Sequence, residues 1–249
     1  MSIAYQLCSD GAPSKIIREF AVRHGLDILD AAADGPPPIN SARHGPGDAK
    51  KTTLIKLLAD IDENRLAEAL NPQIRACLEA SAAGINFNRE LLPVISQSNI
   101  FLSLTTATAY KIEVARHFSR WLAKHLNLSE DILFGLELSL QEALANGILH
   151  GNMGLKKTLP DDYHDLAPYG EMIRSKLNDL EHGQLHIEIS ARWGGDFIEM
   201  SVLDHGAGFD INAPIKKGIT GWGLSLIRKM AETVFVTDGG RKITMRFAR

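Results

Sequence analysis

The chain has 249 residues, with 27 Lys and Arg against 30 Asp and Glu, and a formal net charge of −3. Its 45% hydrophobic and 23% charged residues are close to globular averages, which excludes a wholly disordered, collagen-like or coiled-coil chain. The near-neutral balance gives no electrostatic reason to expect nucleic-acid binding. Two cysteines, Cys8 and Cys77, are too few for a disulfide framework and indicate a reducing, cytoplasmic setting.

Neither a targeting signal nor a membrane span is predicted. The start, Met1–Gln6, lacks the basic residues and apolar segment of a secretory signal. The longest apolar stretch, Ile132–Leu149, is interrupted by two carboxylates and two amides, and a span needs about 20 apolar residues. We therefore expect a soluble protein without membrane contact.

The N-terminal part predicts a small α/β domain over residues 1–97. An apolar strand over Ile3–Leu7 precedes a helix after Pro13, and a second strand over Leu26–Leu29 completes a βαβ pattern. Prolines and glycines from Asp34 to Asp48 predict an exposed loop.

Two more elements are predicted before residue 97. Thr52–Leu58 favours another strand. Glu63–Ala83 favours one or two helices, interrupted at Asn71-Pro72 because the residue before a proline avoids the helical region.

From residue 98 onward, one strand is followed by helices. Ile100–Leu104 predicts a strand, and Tyr110–Leu126 carries apolar residues at helical spacing. Ser129 is a suitable N-cap for a second helix. The apolar stripe of that second helix comprises Ile132, Leu133, Leu136, Leu140, Leu144 and Ile148.

The last third of the chain predicts mostly sheet. Alternation over Leu185–Ser190 and the apolar run Phe197–Leu203 indicate two paired strands. After a helix over Leu224–Ala231, Val234–Thr237 and Ile243–Phe247 form a final hairpin. Helices followed by hairpin-connected strands predict an α+β fold, a two-layer sandwich, over residues 98–249.

Three short motifs in this second part carry chemistry. In the first, Glu142 and Asn146 are four residues apart and therefore share one face of the second helix. Taken alone, the pair is explained more simply by a solvated helix face without function. Gly147, in the run that ends His150-Gly151-Asn152, favours a site, because glycine inside a helix costs about 1 kcal/mol and often allows a close approach.

The second motif is Asp204-His205-Gly206-Ala207-Gly208, which follows an apolar strand. A buried carboxylate needs hydrogen-bond donors, and an adenine amino group is a suitable one. The glycines would let the main chain pass close to a flat base. The alternative is an ordinary turn after a strand.

The third motif, Gly218–Leu226, is a glycine-rich loop that runs into a helix. Main-chain N–H groups at a helix N-terminus can hold phosphate. The spacing is neither that of a P-loop nor that of a dinucleotide fold.

Taken in this order, the three motifs resemble the ATP-binding (Bergerat) domain of the GHKL superfamily, which includes gyrase and the histidine kinases. Within that superfamily, the stretch from about Asn99 to Arg249 is similar to the anti-sigma-factor serine kinases of bacterial partner-switching systems. The resemblance implies binding of ATP and Mg²⁺.

The resemblance also implies roles for individual residues. Asn146 would coordinate Mg²⁺, and Glu142 would be the general base. Asp204 would accept from the adenine amino group, with Gly206 and Gly208 shaping its pocket.

Further residues are implied to assist. Thr244 would support the adenine contact through water. Main-chain groups of Gly221, Gly223 and Leu224 would hold the phosphates. The lysines at 216 and 217 would lie in a lid, either reaching the terminal phosphate or simply solvated.

The same resemblance implies protein partners. The acceptor would be a serine or threonine of a STAS-type antagonist, and the kinase would hold a sigma factor or another regulatory protein when that antagonist is released. Relatives of this kind are often homodimers.

Two stretches depart from the resembled pattern. Residues 152–184 form an insertion, which is either a surface excursion or a lid or partner-docking element, with Ile173, Leu177 and Leu180 on one face of a short helix. The N-terminal part faintly resembles a degenerate response-regulator receiver, in which Asp10 and Asp60 are isolated acids. The Asn88-Arg89 pair stands where a receiver has lysine.

Two other functions remain open. In one, ATP gates a protein-binding switch and no phosphate is transferred. In the other, the chain is a histidine-kinase-like signalling protein, although neither His117 nor His125 lies in a convincing phosphoacceptor motif.

Overall fold

The computed structural model describes residues 4–10, 14–28, 52–81, 84–87, 90–155, 166–208 and 222–249. Within these ranges the protein is mixed α/β and is built on one mixed sheet of ten strands. The predicted loop from Asp34 to Asp48 lies outside the described residues.

The first half of the sheet is parallel. Its strand order is β2-β1-β3-β4-β6, with the short β5 paired antiparallel to β4. In chain order its elements are β1 (Ala4–Asp10), α1 (Ser14–His24), β2 (Asp27–Ile28), β3 (Thr52–Leu58), α2 (Glu63–Ala69), β4 (Ile74–Ser81), β5 (Gly84–Ile85), α3 (Leu91–Gln97) and β6 (Ile100–Thr105). This is the strand order of flavodoxin-like doubly wound sheets.

The second half of the sheet is antiparallel and continues from β6 in the order β7-β8-β10-β9. Its elements are α4 (Thr106–Lys111), α5 (Val114–Leu126), α6 (Glu130–Ala145), a π-helix (Asn146–Asn152), α7 (Leu166–Asn178), α8 (Leu180–Gly183), β7 (His186–Trp193), β8 (Phe197–Asp204), α9 (Trp222–Met230), β9 (Thr233–Thr237) and β10 (Lys242–Ala248). We refer to the two parts as the parallel half and the antiparallel half.

Strand β6 belongs to both halves. Leu102 lies opposite Cys77 of β4 in a parallel pair and opposite Ile189 of β7 in an antiparallel pair. All six residues of β6 are buried. The predicted boundary between residues 97 and 98 therefore falls just before a strand that joins the two halves into one sheet.

The sheet has two differently covered faces. On the front face, α2, α5, α6 and α9 pack on one large core, which includes Leu66, Phe118, Leu140 and Ile227. On the back face, α1 and α3 cover only the parallel half, through a core that ends at Phe101.

Most predicted elements are observed, and the exceptions have physical reasons. Ile74–Ser81 is a strand rather than part of a helix. A strand buried on both faces gives a continuous apolar run, which periodicity cannot distinguish from a buried helix. The predicted helix Tyr110–Leu126 is interrupted: α4 ends with Ile112 as C-cap, and α5 starts at Val114.

The insertion after the π-helix contributes to the front core. Ile173 of α7 is buried and Leu177 packs against that core, as the pattern predicted. Leu180 is 72% exposed because α7 ends at Asn178 and Asp179 caps a new turn.

One helix of the described part, Glu130–Asn152, is long and apolar enough by composition to cross a membrane. Its leucine stripe packs into the front core, where Leu136 and Leu140 are fully buried. A buried core helix passes the same test, so the structure is compatible with a soluble globular protein.

Candidate functional site

The candidate site is built around one helix. Ser129 caps α6 by accepting from the main-chain N of Ile132, and Glu130 and Asp131 occupy the first turn, where acidic side chains suit the helix dipole. The helix is anchored by its leucines, which leaves Glu142 and Asn146, both half-buried, on another side.

The first turn of α9 meets these two side chains. A methyl group placed at Gly223 would lie 2.6 Å from Oε2 of Glu142 and 3.3 Å from Nδ2 of Asn146. The main chain of α9 therefore lies close to a carboxylate and an amide, and a side chain at Gly223 would require the Glu142 carboxylate to move. Leu224, the next residue, is half-buried.

After Ala145 the helix widens into the π-helix, a rare conformation that is frequent at functional sites. Gly147 and Gly151 both face Asp204 at the end of β8. A methyl group would lie 3.5 Å from the Asp204 Cβ if placed at Gly147, and only 2.3 Å from its Cγ if placed at Gly151. Gly151 thus lets the carboxylate lie against the helix, whereas a methyl group at Gly147 would lie 2.8 Å from Cδ1 of Ile187.

Asp204 is 7% exposed, and burial raises the pKa of its carboxyl above the usual range. Its Oδ1 accepts one hydrogen bond from the main-chain N of Gly206, at 2.9 Å. Its own main-chain N donates to the carbonyl of Arg241, which fixes the end of β8 against β10.

The loop after Asp204 is held on two sides. A methyl group at Gly206 would lie 2.1 Å from the carbonyl oxygen of Gly151. Gly208 has φ +74°, and a methyl group there would lie 2.2 Å from the carbonyl oxygen of Gly239. Only glycine combines this backbone conformation with such close main-chain contacts.

Asn152 was missed as a site residue by the sequence reasoning, although it closes the motif His150-Gly151-Asn152. It is 3% exposed, and its Nδ2 donates to Thr106 Oγ1 at 2.8 Å and to the carbonyl of His186 at 3.0 Å. Its Oδ1 accepts from the main-chain N of His205 at 2.8 Å. The Asn152 side chain thereby holds His205, the residue next to Asp204. The sequence offers only the position of Asn152 at the end of the motif as a signal for this role.

Thr244 is not brought to this site. It lies opposite Ser201 in the β8–β10 register, and its Oγ1 is 2.9 Å from Ser201 Oγ. Asp204, three residues beyond Ser201, lies on the other side of β8 because side chains alternate along a strand. Thr244 thus faces the back of the sheet, and the expected adenine support through its hydroxyl has no geometric basis here.

Some predicted site residues cannot be placed. Gly221 and the lysines at 216 and 217 lie outside the described residues. His150 is exposed, and its Nδ1 lies 2.7 Å from the carbonyl of Leu155, so it closes the turn after the π-helix.

A second group of ligand-type side chains lies elsewhere, on the surface. Asp179, Glu181 and His182 bring their ligand atoms within 4.8 Å of one another. Internal hydrogen bonds explain this arrangement, because Asp179 accepts from the Glu181 main-chain N and from His182.

Comparison with known proteins assigns no family. The chain matches none of the protein-family models, and no curated protein matches it either.

Proposed function

We propose that the chain binds ATP with Mg²⁺ in the cleft between α6 and the end of β8, and transfers phosphate to serine or threonine of a protein. The observation that carries this proposal is the convergence of three groups from distant parts of the sequence on one helical stretch: Gly223 lies against Glu142 and Asn146, and Asp204 and Gly206 lie against Gly151. The fold would then be of the GHKL type.

Asp204 suits the base of the nucleotide. It is a buried carboxylate that receives one main-chain hydrogen bond, so an adenine amino group would supply a further donor to a costly buried acceptor. Gly147, Gly151 and Gly206 leave no side chain between this carboxylate and the main chain around it.

Glu142 and Asn146 suit the phosphate end. Carboxylate and amide oxygens are the hard ligands that Mg²⁺ takes in proteins, and both side chains are half-buried beside the first turn of a nine-residue helix. Asn146 would hold the ion, whose charge would neutralise the phosphates. The N-terminal turn of α9, including Gly223 and Leu224, would present main-chain donors to anions.

Glu142 would also take the proton from the acceptor hydroxyl. A positioned general base contributes about 10²- to 10⁴-fold to the rate. We propose a cytoplasmic STAS-type antagonist as the acceptor protein, and a sigma factor or similar regulator as the partner that the kinase, as a homodimer, sequesters.

The test combines binding and transfer on the full chain. Calorimetry with Mg²⁺-ATP should show saturable binding that Asp204→Asn weakens by about 10- to 100-fold, the range expected for one hydrogen bond to a charged group. Glu142→Gln should keep ATP affinity but lower transfer of labelled phosphate to captured partner proteins by at least about 10²-fold.

Glu137→Gln is the matched control, because Glu137 is a half-buried carboxylate of the same helix that lies 4.0 Å from Arg120 instead. It should change neither ATP affinity nor transfer. Absence of ATP binding in the unsubstituted chain would refute the proposal. Binding without transfer to any partner would favour an ATP-gated switch.

A further inference from the structure

A cavity of about 240 Å³ lies on the back of the sheet, away from the proposed nucleotide cleft. Helix α3 covers only the parallel half, so its side forms a step with the strands of the antiparallel half, which no described element covers on this face. Ser190 of β7 and Ser201 of β8 are paired across the strands and line the floor. The neighbouring residues Ile189 and Val202 belong to the front core.

The cavity contains a buried carboxylate. Glu188 is 5% exposed, and its Oε1 accepts from His205 Nε2 at 3.0 Å. Among the described residues, its second oxygen has no hydrogen-bond partner. A carboxylate oxygen that lines a cavity can accept a hydrogen bond from a bound molecule.

Charges of both signs surround this oxygen. Glu90 at the start of α3 and Lys242 at the start of β10 also line the cavity. Two acidic side chains, Glu90 and Glu188, and two basic ones, His205 and Lys242, therefore line the same space. That balance disfavours a ligand of one sign only.

One wall of the cavity is apolar. Leu91 and Val94 of α3 line it together with Phe101 of β6, and Leu203 of β8 lies on the opposite side. A volume below the usual range of drug-sized pockets, about 300–1,000 Å³, restricts the occupant to a small molecule.

We propose that this cavity binds a free α-amino acid with an aliphatic side chain. The ammonium group donates to the open oxygen of Glu188, the carboxylate pairs with Lys242, and the side chain packs on the wall formed by α3 and Phe101. This site is separate from the nucleotide cleft and does not depend on the proposed kinase activity.

The proposal is tested on the full chain with L-leucine as the probe, by calorimetry and by thermal unfolding. Two analogues each lack one charge: 4-methylpentanoate and 3-methylbutylamine. Because each lost ionic hydrogen bond costs roughly tenfold or more in affinity, L-leucine should bind at least about tenfold tighter than either analogue. L-leucine should also raise the unfolding temperature.

Ser190→Leu fills the floor and should weaken L-leucine binding by at least about tenfold, since side-chain atoms would occupy the ligand's volume. Ser175→Leu is the matched control, on the exposed side of α7, and should leave binding unchanged. If Ser190→Leu does not fold, Lys242→Met replaces it; it should weaken L-leucine but leave 3-methylbutylamine unaffected.

Three outcomes would overturn the proposal. The first is no binding of L-leucine at millimolar concentration. The second is an affinity for L-leucine that equals the affinity for one of the two analogues. The third is L-leucine binding that neither Ser190→Leu nor Lys242→Met changes. None of them depends on ATP, so the two proposals fail independently.

Discussion

The parallel and antiparallel halves use the same sheet in different ways. In the parallel half, β4 and β6 contribute residues to both cores, and β6 is buried along its whole length. In the antiparallel half, β9 alternates between exposed and half-buried residues, and its Phe235 is 56% exposed. Parallel sheets are normally buried on both faces, whereas antiparallel sheets tolerate water on one side.

The two halves therefore differ in what they contribute to the stability of the fold and to the proposed sites. The parallel half and β6 supply continuous apolar surface, while the buried or half-buried polar groups of both proposed sites lie in the antiparallel half or at its margin. The comparison predicts large effects of substitution at the shared strand and small ones on the open back face.

The largest effect is expected at β6. Leu104 is fully buried in the front core, and Leu104→Ala should lower the free energy of unfolding by about 2–5 kcal/mol through lost contacts and a cavity. Because β6 joins the halves, urea unfolding should remain one transition. All three tryptophans lie beyond residue 120, so their fluorescence reports the antiparallel half, while circular dichroism reports both.

Val22→Ala is the control for this prediction, since Val22 is 84% exposed on α1 and should change stability by less than about 0.5 kcal/mol. Separate fluorescence and circular dichroism midpoints would show that the halves unfold independently.

An intermediate effect is expected at His186, the first residue of β7, which pairs with β6. Burial lowers the pKa of this imidazole to about 4, and its Nδ1 lies 2.9 Å from Ser103 Oγ. Because the unfolded chain has the higher pKa, it binds the proton first as the pH falls. Stability should therefore be lost from about pH 6.5 downwards, by about 3 kcal/mol near pH 4.

The pH dependence of urea midpoints checks this. His186→Gln keeps a hydrogen-bonding group but removes the titration, so its stability should fall less between pH 7 and pH 4 than that of the unsubstituted chain. An unchanged slope in His186→Gln would contradict the assignment.

The smallest effect is expected on the open back face. Arg192 and Glu199 form an ion pair at 2.5 Å, with the Arg192 side chain 53% exposed. Exposed pairs contribute about 0–1 kcal/mol, so Arg192→Ala should shift the urea midpoint only slightly. A loss above about 2 kcal/mol would contradict this expectation.

Much of the fold was predictable, because local signals and burial agree. Ser129 is the N-cap of α6, Thr52–Leu58 is a strand, and Gly194-Gly195 connects β7 to β8. The continuity of the sheet across β6 was not predictable. Strand pairing between Cys77 and Leu102 is a long-range contact that no local pattern encodes.

The candidate site was partly predictable for the same reason. Spacing alone placed Glu142 and Asn146 on one side of a helix. The contact of Gly151 with Asp204 depends on a π-helix, which has no sequence signature in a single chain. The expected role of Thr244 was wrong because a shift of one residue in strand register moves a side chain to the opposite face of the sheet.

Strand β6 also governs how this molecule can be taken apart. If the chain were divided before β6, this strand would lose its pairing with β4 and become an edge strand without charged residues. Such an edge promotes edge-to-edge aggregation. Cutting on its C-terminal side would leave β7 as the bare edge. Whichever half keeps β6, the other half is left with an unpaired edge strand, β4 or β7.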